Sequence, residues 1–327
     1  MHLCAAHRKG PIPMHSRRFP VVVAASALVL SLAACGSGQP SLDSGSASPA
    51  SSRTVMTSLG AVEVPASPER VVVMNVQQAS MVVSLGVTPV GVAGEIDPYY
   101  TWLADDIGPL INDQLQDASY VLSPEAVAAL DPDVIFLGNW QVADTEVLER
   151  LQGIAPVVTT ASKEVVPAWQ DSVTTIGEAL GVPEKAATLI DEIETEYREL
   201  GERTGVVGKS YQYFGMSKDS LTSGNALTLQ LAGMVPGKHQ DVEGVVSNND
   251  ISLEQVPDLD ADLLLIWNFS PRDLADLPGF DSLPSVVSGN FHQIDAAQAA
   301  ALTGPEPIGL RGFLLDTVTP MLETLGR

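Results

Sequence analysis

The feature that most restricts the fold of this chain is a sequence pattern that occurs twice. Residues 123–133 and 252–262 both read S-x-E-x-V-x-x-L-D-x-D, and an apolar run follows each copy. A serine N-cap followed by a carboxylate in the first turn stabilises a helix, because both partner the free N–H groups and the positive end of the helix dipole. Each copy therefore predicts a short helix leading into a buried strand, and the repetition predicts two lobes of related topology.

The remaining chain alternates apolar runs with helical patterns. The runs that predict strands are 71–74, 90–93, 134–137, 157–158, 211–214, 263–267 and 291–294. The helical patterns outside the repeat are 77–85, 227–231 and 310–325. Short apolar runs are typical of strands covered on both faces, and their alternation with helices indicates parallel pairing. The sequence therefore predicts an α/β fold with mainly parallel central sheets.

A long helix is predicted between the two copies of the pattern. Apolar residues recur at steps of three and four from Pro183 to about Arg203, and Glu and Arg occupy many of the other positions. The narrow apolar stripe predicts a helix with one buried face. Its place between two α/β regions favours a rigid connector between lobes, and an ordinary helix covering one sheet is the alternative.

The amino terminus has the pattern of an export signal. Residues 1–34 contain four basic residues and no acidic one, and an apolar run covers 19–34. This run is too short and too rich in Ala and Ser to favour a spanning helix. The sequence Leu-Ala-Ala-Cys-Gly at 32–36 resembles a bacterial lipobox, which predicts a lipid on Cys35. An ordinary secretory cleavage near Ala34 is the alternative, and Met14 is an alternative start.

A flexible tether is predicted after Cys35, because residues 36–52 are mostly Gly, Ser, Ala and Pro. The predicted organisation has five parts. They are a signal peptide at 1–34, the lipidated cysteine and tether at 35–53, an N-terminal α/β lobe at 54–182, a bridging helix at 183–205 and a C-terminal α/β lobe at 206–327.

Composition excludes several classes of function. The chain has 17 basic and 40 acidic residues, a net charge of −23, which argues against a surface for nucleic-acid phosphates. Its two cysteines are Cys4, inside the signal, and Cys35. The folded part therefore has no disulfide and no cysteine metal site.

Several segments together resemble a known family. They are Pro-Glu-Arg-Val-Val-Val at 68–73, Leu-Gly-Val-Thr-Pro-Val-Gly-Val at 85–92, the first repeat copy through Ile135, Ile-Ala-Pro-Val-Val at 154–158, and Trp169 followed by Gly-Glu-Ala-Leu-Gly at 177–181. In order and spacing they resemble the periplasmic-binding proteins for iron siderophores, haem and cobalamin. The resemblance covers about residues 54–325. It implies two α/β lobes joined by one long α-helix, with the ligand cleft between the lobes.

The same resemblance implies a role in an ABC importer. Members of the family dock on the membrane permease through one glutamate on each lobe, and Glu125 and Glu254 stand at those positions. The alternative is that each is only a favourable first-turn carboxylate, worth about 0.3–1 kcal/mol. The expected protein is a monomer, lipid-anchored outside the cytoplasm, which hands a ferric siderophore to its permease.

Ligand residues are expected where strands end, because open α/β sheets bind at the carboxyl ends of their strands. The candidates at these positions are Asn75, Gln77, Tyr99, Tyr100, Trp102, Asn139, Trp140, Met216, Ser217, Lys218, Trp267, Asn268, Phe269 and Arg272. Trp102, Trp140 and Trp267 suit aromatic walls around an organic shell.

Cations for the siderophore oxygens are expected from Lys218, Arg272 and Arg311. The alternative for Arg311 is a structural role, since it precedes the closing helix. The few basic residues near strand ends weigh slightly against a highly anionic catecholate. Hydroxamate, catecholate and carboxylate siderophores all remain open at this point.

The sequence also bears on other ligands and other functions. After the signal only His239 and His292 remain, too few for a zinc site, so no metal ligands and no cofactor are predicted. Haem, with Tyr99, Tyr100 or His239 as axial ligand, and cobalamin are alternatives. No nucleophile elbow, phosphate loop or His–carboxylate constellation supports an enzyme. A non-transport surface lipoprotein or sensor with the same fold is a further alternative.

Overall fold

The computed structural model describes residues 52–240 and 250–326. The signal, Cys35 and most of the tether lie outside the described residues. The strands are β1 (Ser52–Thr57), β2 (Gly60–Pro65), β3 (Val71–Val73), β4 (Gly91–Val92), β5 (Val134–Phe136), β6 (Val157–Val158), β7 (Ser210–Met216), β8 (Ser220–Ser223), β9 (Val235–Pro236), β10 (Asp250–Ser252), β11 (Leu263–Asn268) and β12 (Phe291–Ile294). The α-helices are α1 (Val76–Ser84), α2 (Pro124–Ala129), α3 (Thr145–Gln152), α4 (Trp169–Leu180), α5 (Pro183–Thr204), α6 (Thr228–Leu231), α7 (Pro284–Val287), α8 (Ala296–Thr303), α9 (Pro307–Gly309) and α10 (Leu315–Leu325).

The N-terminal lobe is built on a parallel sheet with the strand order β4-β3-β5-β6. Val72 pairs with Gly91 on one side and with Ile135 on the other. Every residue of β3 and β5 is buried, as expected for strands with helices on both faces. The predicted α/β architecture with parallel pairing is confirmed in this lobe.

The C-terminal lobe has a mixed sheet with the order β10-β8-β7-β11-β12, and β9 pairs with β7. Strands β7, β11, β12 and β9 are parallel, whereas β8 is antiparallel to both β7 and β10. The antiparallel edge departs from the predicted parallel pattern. Its cause is local, because β7 turns directly into β8 at 217–219, where Ser217 N donates to Ser220 O at 3.0 Å. A connection this short permits only antiparallel pairing.

The two copies of the repeat form different helices. In the first copy, Ser123 Oγ accepts from Ala126 N at 3.3 Å and caps α2. In the second, Ser252 caps a 3₁₀ helix, Leu253–Asp258, and its Oγ accepts from Glu254 N at 3.3 Å. Pro257 lies inside this second helix, where it removes an N–H donor and disfavours the α form.

Helix α5 runs for 22 residues between the lobes and ends where Gly205 adopts a left-handed conformation, φ 71°. Its buried stripe includes Leu189, Ile193, Tyr197 and Leu200. These residues belong to one continuous apolar cluster that also contains β3 and β5 residues of the first lobe and β7 and β11 residues of the second. The core is therefore continuous from one lobe to the other along α5.

An antiparallel hairpin precedes the first lobe. Strand β1 pairs with β2 and already includes Ser52 and Arg53, which the sequence assigned to the tether. The Arg53 guanidinium donates to the carbonyls of Ala66 and Glu178, which holds the hairpin on α4. The hairpin was not predicted, because its alternating, half-exposed residues lack the continuous apolar run of the central strands. Among the described residues, no helix is both long and apolar enough to cross a membrane.

Candidate functional site

A cleft of about 480 Å³ lies between the two lobes and is here called the interlobe cleft. Its first wall comes from the loops after β3, β5 and β6 and from the start of α4, and its second wall comes from the loop after β8, from α6 and from the segment after α8. The lining residues are Asn75, Gln77, Gln78, Met81, Gly138, Asn139, Trp140, Thr160, Val165, Val166, Pro167, Ala168, Trp169, Gln170, Ser172, Asn225, Leu227, Thr228, Gln230, Leu231, Thr303, Gly304 and Pro305.

A carboxamide network fixes the first wall where β3 and β5 end. Asn75 caps α1, since its Oδ1 accepts from Gln78 N at 2.9 Å, and its Nδ2 donates to Gln78 Oε1 at 2.8 Å. Gln141 Oε1 accepts from Gly138 N at 2.9 Å, and Gln141 Nε2 donates to Met74 O at 2.7 Å. The network connects the two strand ends, so the polar groups of this wall are held in place before any ligand binds.

Asn139 orders the apolar part of the same wall. Its Nδ2 donates to Ser162 O at 2.7 Å and to Glu164 O at 2.9 Å, which fixes the loop that leads into Val165 and Val166. These two valines are 60% and 42% exposed. Because Trp140 is also 49% exposed, the wall offers an unusually large apolar surface to a ligand.

The second wall is polar and closely approaches the first. Asn225 Oδ1 accepts from Leu227 N at 3.1 Å, and Gln230 Nε2 donates to Tyr211 OH at 3.1 Å. A side chain at Gly304 would overlap Nε2 of Gln77. The segment after α8 therefore lies against the Gln77 side chain of the first lobe.

No Asp, Glu, Lys, Arg or His side chain is among the described residues that line the interlobe cleft. Its polar groups are mainly the carboxamides of seven side chains. They are Asn75, Gln77, Gln78 and Asn139 near the strand ends of the first wall, together with Gln170, Asn225 and Gln230. The cleft can therefore donate and accept hydrogen bonds but supplies no formal charge. The described residues also contain no group of three or more His, Cys, Asp or Glu that could hold a metal ion.

The structure brings only part of the predicted ligand set into the cleft. Asn75, Gln77 and Trp140 line it, together with Asn139. The predicted residues that do not line it are Tyr99, Tyr100, Trp102, Lys218, Trp267, Asn268, Arg272 and Arg311, together with Met216, Ser217, Phe269 and the haem candidate His239.

Trp102 and Tyr100 pack beside the closing helix instead. Trp102 stacks on Phe313 with ring centroids 4.7 Å apart, and its Nε1 donates to Glu306 Oε1 at 2.7 Å. Tyr100 contacts Trp102 edge-on at 5.7 Å. Burial raises the pKa of Tyr100 to about 12, with a smaller contribution from the Glu306 charge. Tyr99, its neighbour, is 44% exposed.

Arg311 forms ion pairs with the long helix α5. Its guanidinium pairs with Glu196 at 2.7 Å and with Glu192 at 3.0 Å, both on α5. Hydrogen bonding to Glu196 raises the pKa of Arg311, which is the ordinary consequence of a stabilised cation. This placement corresponds to the structural alternative for Arg311.

The candidates after β7 and β11 form local turns. Trp267 packs against Phe269 with centroids 4.9 Å apart. Asn268 Nδ2 donates to Arg272 O at 2.8 Å, and its Oδ1 accepts from Ser270 N at 3.0 Å. Lys218 and Arg272 are exposed. These residues therefore close turns rather than line the cleft.

Several lining residues were missed because they do not follow a predicted strand. Trp169 and Gln170 begin α4, and Asn225 follows β8, a strand whose short sequence Ser-Leu-Thr-Ser has no apolar run. Thr228 and Gln230 lie on a one-turn helix. The aromatic Trp169 directly after Val-Val-Pro-Ala was the one sequence signal that could have identified this part of the wall.

The two candidate docking carboxylates lie at helix starts, one in each lobe. Glu125 is in the first turn of α2, its side chain is 72% exposed, and it pairs with Arg150 of α3. Hydrogen bonding from its own backbone N–H and from Arg150 lowers the pKa of Glu125. Glu254 is exposed at the start of the second repeat helix and makes no ion pair with a described residue.

Two α/β lobes, a single long connecting helix and one cleft where the strands end define a two-lobed solute-binding protein. The chain belongs to the family described as Periplasmic binding protein, which matches residues 71–266, more than half of its length. A curated relative is the probable siderophore-binding lipoprotein YfiY of Bacillus subtilis. It is 27% identical over 326 residues, which cover 90% of this chain and 95% of the relative.

Solved structures have the same fold. A periplasmic solute binding protein from Mycobacterium smegmatis has a TM-score of 0.68 at 20% identity, covering 84% of this chain and 99% of that one. PiaA from Streptococcus pneumoniae, solved in complex with ferrichrome, has a TM-score of 0.66 at 21% identity, covering 84% and 98%. These similarities confirm the predicted two-lobed fold.

Proposed function

We propose that this protein is the extracytoplasmic substrate-binding component of an ABC importer and that it binds a ferric siderophore in the interlobe cleft without chemical turnover. The observation that carries the proposal is the cleft itself, because it combines an exposed tryptophan wall with prearranged carboxamides. A siderophore already satisfies its iron with its own oxygens, so the protein needs apolar walls and a few hydrogen bonds rather than metal ligands. The named ligand of PiaA and the name of YfiY support this ligand class.

The proposal predicts that the aromatic wall determines affinity. Trp140→Ala is expected to weaken binding of a ferric siderophore about tenfold or more, because it removes a large exposed ring from the cleft. Titration of the purified full chain by intrinsic fluorescence, with a panel of ferric chelates, haem, cobalamin and free ferric iron, measures the dissociation constants.

A matched control uses an aromatic side chain outside the cleft. Phe269→Ala removes a ring of similar exposure that does not line the cleft, so it is expected to leave affinity unchanged. Sub-micromolar binding of one ferric chelate but not of its metal-free form supports the proposal. Binding of haem or cobalamin alone, or of no member of the panel, contradicts it.

We further propose that the amino terminus is lipidated on Cys35 and that Glu125 and Glu254 contact basic residues of the permease. The support is their exposed position at one helix start in each lobe. Such charge pairs between two proteins raise the rate of association and fix the orientation in which the proteins meet.

The docking proposal predicts a loss of transport without a loss of binding. Glu125→Lys combined with Glu254→Lys is expected to lower uptake of a radiolabelled ferric chelate at least about tenfold, since like charges then face each other at both contacts. Cells in which the variant replaces the native protein provide the measurement. Glu146→Lys reverses another exposed first-turn carboxylate, on α3, and serves as the control. Equal uptake by the double variant and this control would contradict the proposed docking role of Glu125 and Glu254.

A further inference from the structure

None of the described residues that line the interlobe cleft is charged. The cations that the sequence offered lie elsewhere, since Arg311 pairs with α5 and Lys218 and Arg272 are exposed in turns outside the cleft. The segment 241–249, outside the described residues, contains Asp241 and Glu243 but no Lys or Arg. The chain as a whole is strongly acidic, which adds a repulsive long-range field for anions.

Two buried polar atoms of the cleft residues lack a partner. Asn139 uses both hydrogens of its Nδ2 on backbone carbonyls, and its Oδ1 is buried without a hydrogen bond. Thr228, on the opposite wall, is 2% exposed, and its Oγ1 also has no partner. Buried polar groups in native proteins are nearly always hydrogen-bonded. Because both atoms are buried within their walls, the hydrogen bonds that the cleft offers a ligand come from its accessible carboxamides, such as Gln77, Asn225 and Gln230.

We propose that the ferric siderophore bound by this cleft is an uncharged complex of the trihydroxamate class, recognised through carboxamides and tryptophan, and that anionic ferric chelates are excluded because no described residue that lines the cleft is a cation. This inference rests on the proposed function and names its substrate class. Three singly charged hydroxamates balance one ferric ion, whereas three catecholates leave the complex strongly negative. Hydroxamate siderophores also carry amide groups, which complement the accessible carboxamides of the cleft.

The charge of the ferric complex determines which ligand binds, because a ligand that fills the cleft displaces most of the water there. Moving an anion from water to a site without a countercharge costs several kcal/mol per ion in proteins. A neutral complex does not incur this cost, and it keeps the apolar contact with Trp140 and the valine loop.

The test compares a ferric trihydroxamate and a ferric tris-catecholate that are built on the same tripodal scaffold and differ in their chelating groups and therefore in charge. Fluorescence titration of the full chain is expected to give at least about 100-fold tighter binding of the trihydroxamate. Ferrichrome and ferric citrate serve as a second neutral and anionic pair.

A variant with a new cation tests the cause directly. Gln230→Arg places a guanidinium at an exposed lining position, so binding of the tris-catecholate is expected to tighten about tenfold and to weaken again in high salt. Gln114→Arg adds the same charge at an exposed position outside the cleft and is expected to change nothing.

The outcomes separate the two proposals. Preference for the neutral chelate, reversed or reduced in Gln230→Arg alone, supports the inference. Equal or tighter binding of the anionic chelate by the native chain overturns the inference and leaves the siderophore function standing. Binding of neither chelate overturns both.

Discussion

Glu306→Ala is expected to lower the free energy of unfolding by about 3–5 kcal/mol. The Glu306 carboxylate is 1% exposed and accepts four hydrogen bonds. Its donors are the Ser80 hydroxyl, Trp102 Nε1 at 2.7 Å, Ile308 N at 2.9 Å and Gly309 N at 2.7 Å. Alanine would leave these donors buried without an acceptor, which is why the effect exceeds that of an ordinary side-chain truncation.

The position of Glu306 explains why its loss should affect the whole molecule. It caps the start of the closing helix, whereas Ser80 lies on α1 and Trp102 lies in the first lobe. The carboxylate therefore holds the carboxyl-terminal segment against the N-terminal lobe. Denaturant unfolding followed by circular dichroism measures the effect, and Glu323→Ala, an exposed glutamate of α10, is expected to stay within about 0.5 kcal/mol of the native chain. A small loss in Glu306→Ala, similar to that control, would refute this role.

The same carboxylate predicts a dependence of stability on pH. Burial raises the pKa of Glu306, against the opposing effect of its hydrogen bonds to Ser80, Trp102, Gly309 and Ile308. The folded chain then keeps this proton to higher pH than the unfolded chain. The resulting contribution to stability is complete below the ordinary glutamate pKa and is lost as the pH rises through the raised value. The stability difference between the native chain and Glu306→Gln should therefore shrink as the pH rises, and a constant difference would contradict the raised pKa.

Gly201→Ala is expected to destabilise the protein by about 2–4 kcal/mol, although alanine normally favours a helix. Gly201 lies on α5, where the helix touches the backbone that follows α6. A Cβ at this position would lie 2.6 Å from the carbonyl carbon of Ala232 and closer still to its oxygen. Backbone cannot move aside as a flexible side chain can, so α5 or the α6 segment must shift.

A second glycine in a helical segment provides the matched control for this prediction. Gly312 lies in the π-helical turn Leu310–Leu314, and a Cβ there would have no heavy atom within 4 Å. Gly312→Ala is expected to be neutral or to stabilise by up to about 1 kcal/mol. Thermal unfolding of both variants measures the difference in stability. Equal melting temperatures would show that the close approach of α5 to Ala232 does not affect stability.

Local sequence patterns predicted most of the central strands and the long helix. The continuous apolar runs predicted β3, β5 and β11 because strands buried on both faces favour apolar residues at every position. The periodic stripe predicted α5 because its apolar residues recur at the helical period. The hairpin β1–β2 and strand β8 were missed, because half-exposed or polar strands depend on their pairing partners rather than on their own composition.

The candidate site was less predictable than the fold. Asn75, Gln77, Asn139 and Trp140 were found because the carboxyl ends of β3 and β5 open into the cleft. The same rule failed for Trp102, which packs on Phe313 and donates to Glu306, a partner 204 residues away in sequence. Arg311, which was considered as a cation from its place before the closing helix, pairs with Glu192 and Glu196 of α5.

The sequence by itself therefore determined the two α/β lobes and the long helix, because these follow from local periodicity, capping and apolar runs, whereas the family followed from the resemblance of motifs in their order and spacing. Only the tertiary structure decided which polar and aromatic groups meet. It placed every predicted cation outside the described cleft lining, which Asn139 and Trp140 share with other carboxamide side chains. The physical reason is that a side chain's role depends on partners from distant elements, whose approach is set by packing along α5 and not by neighbouring sequence.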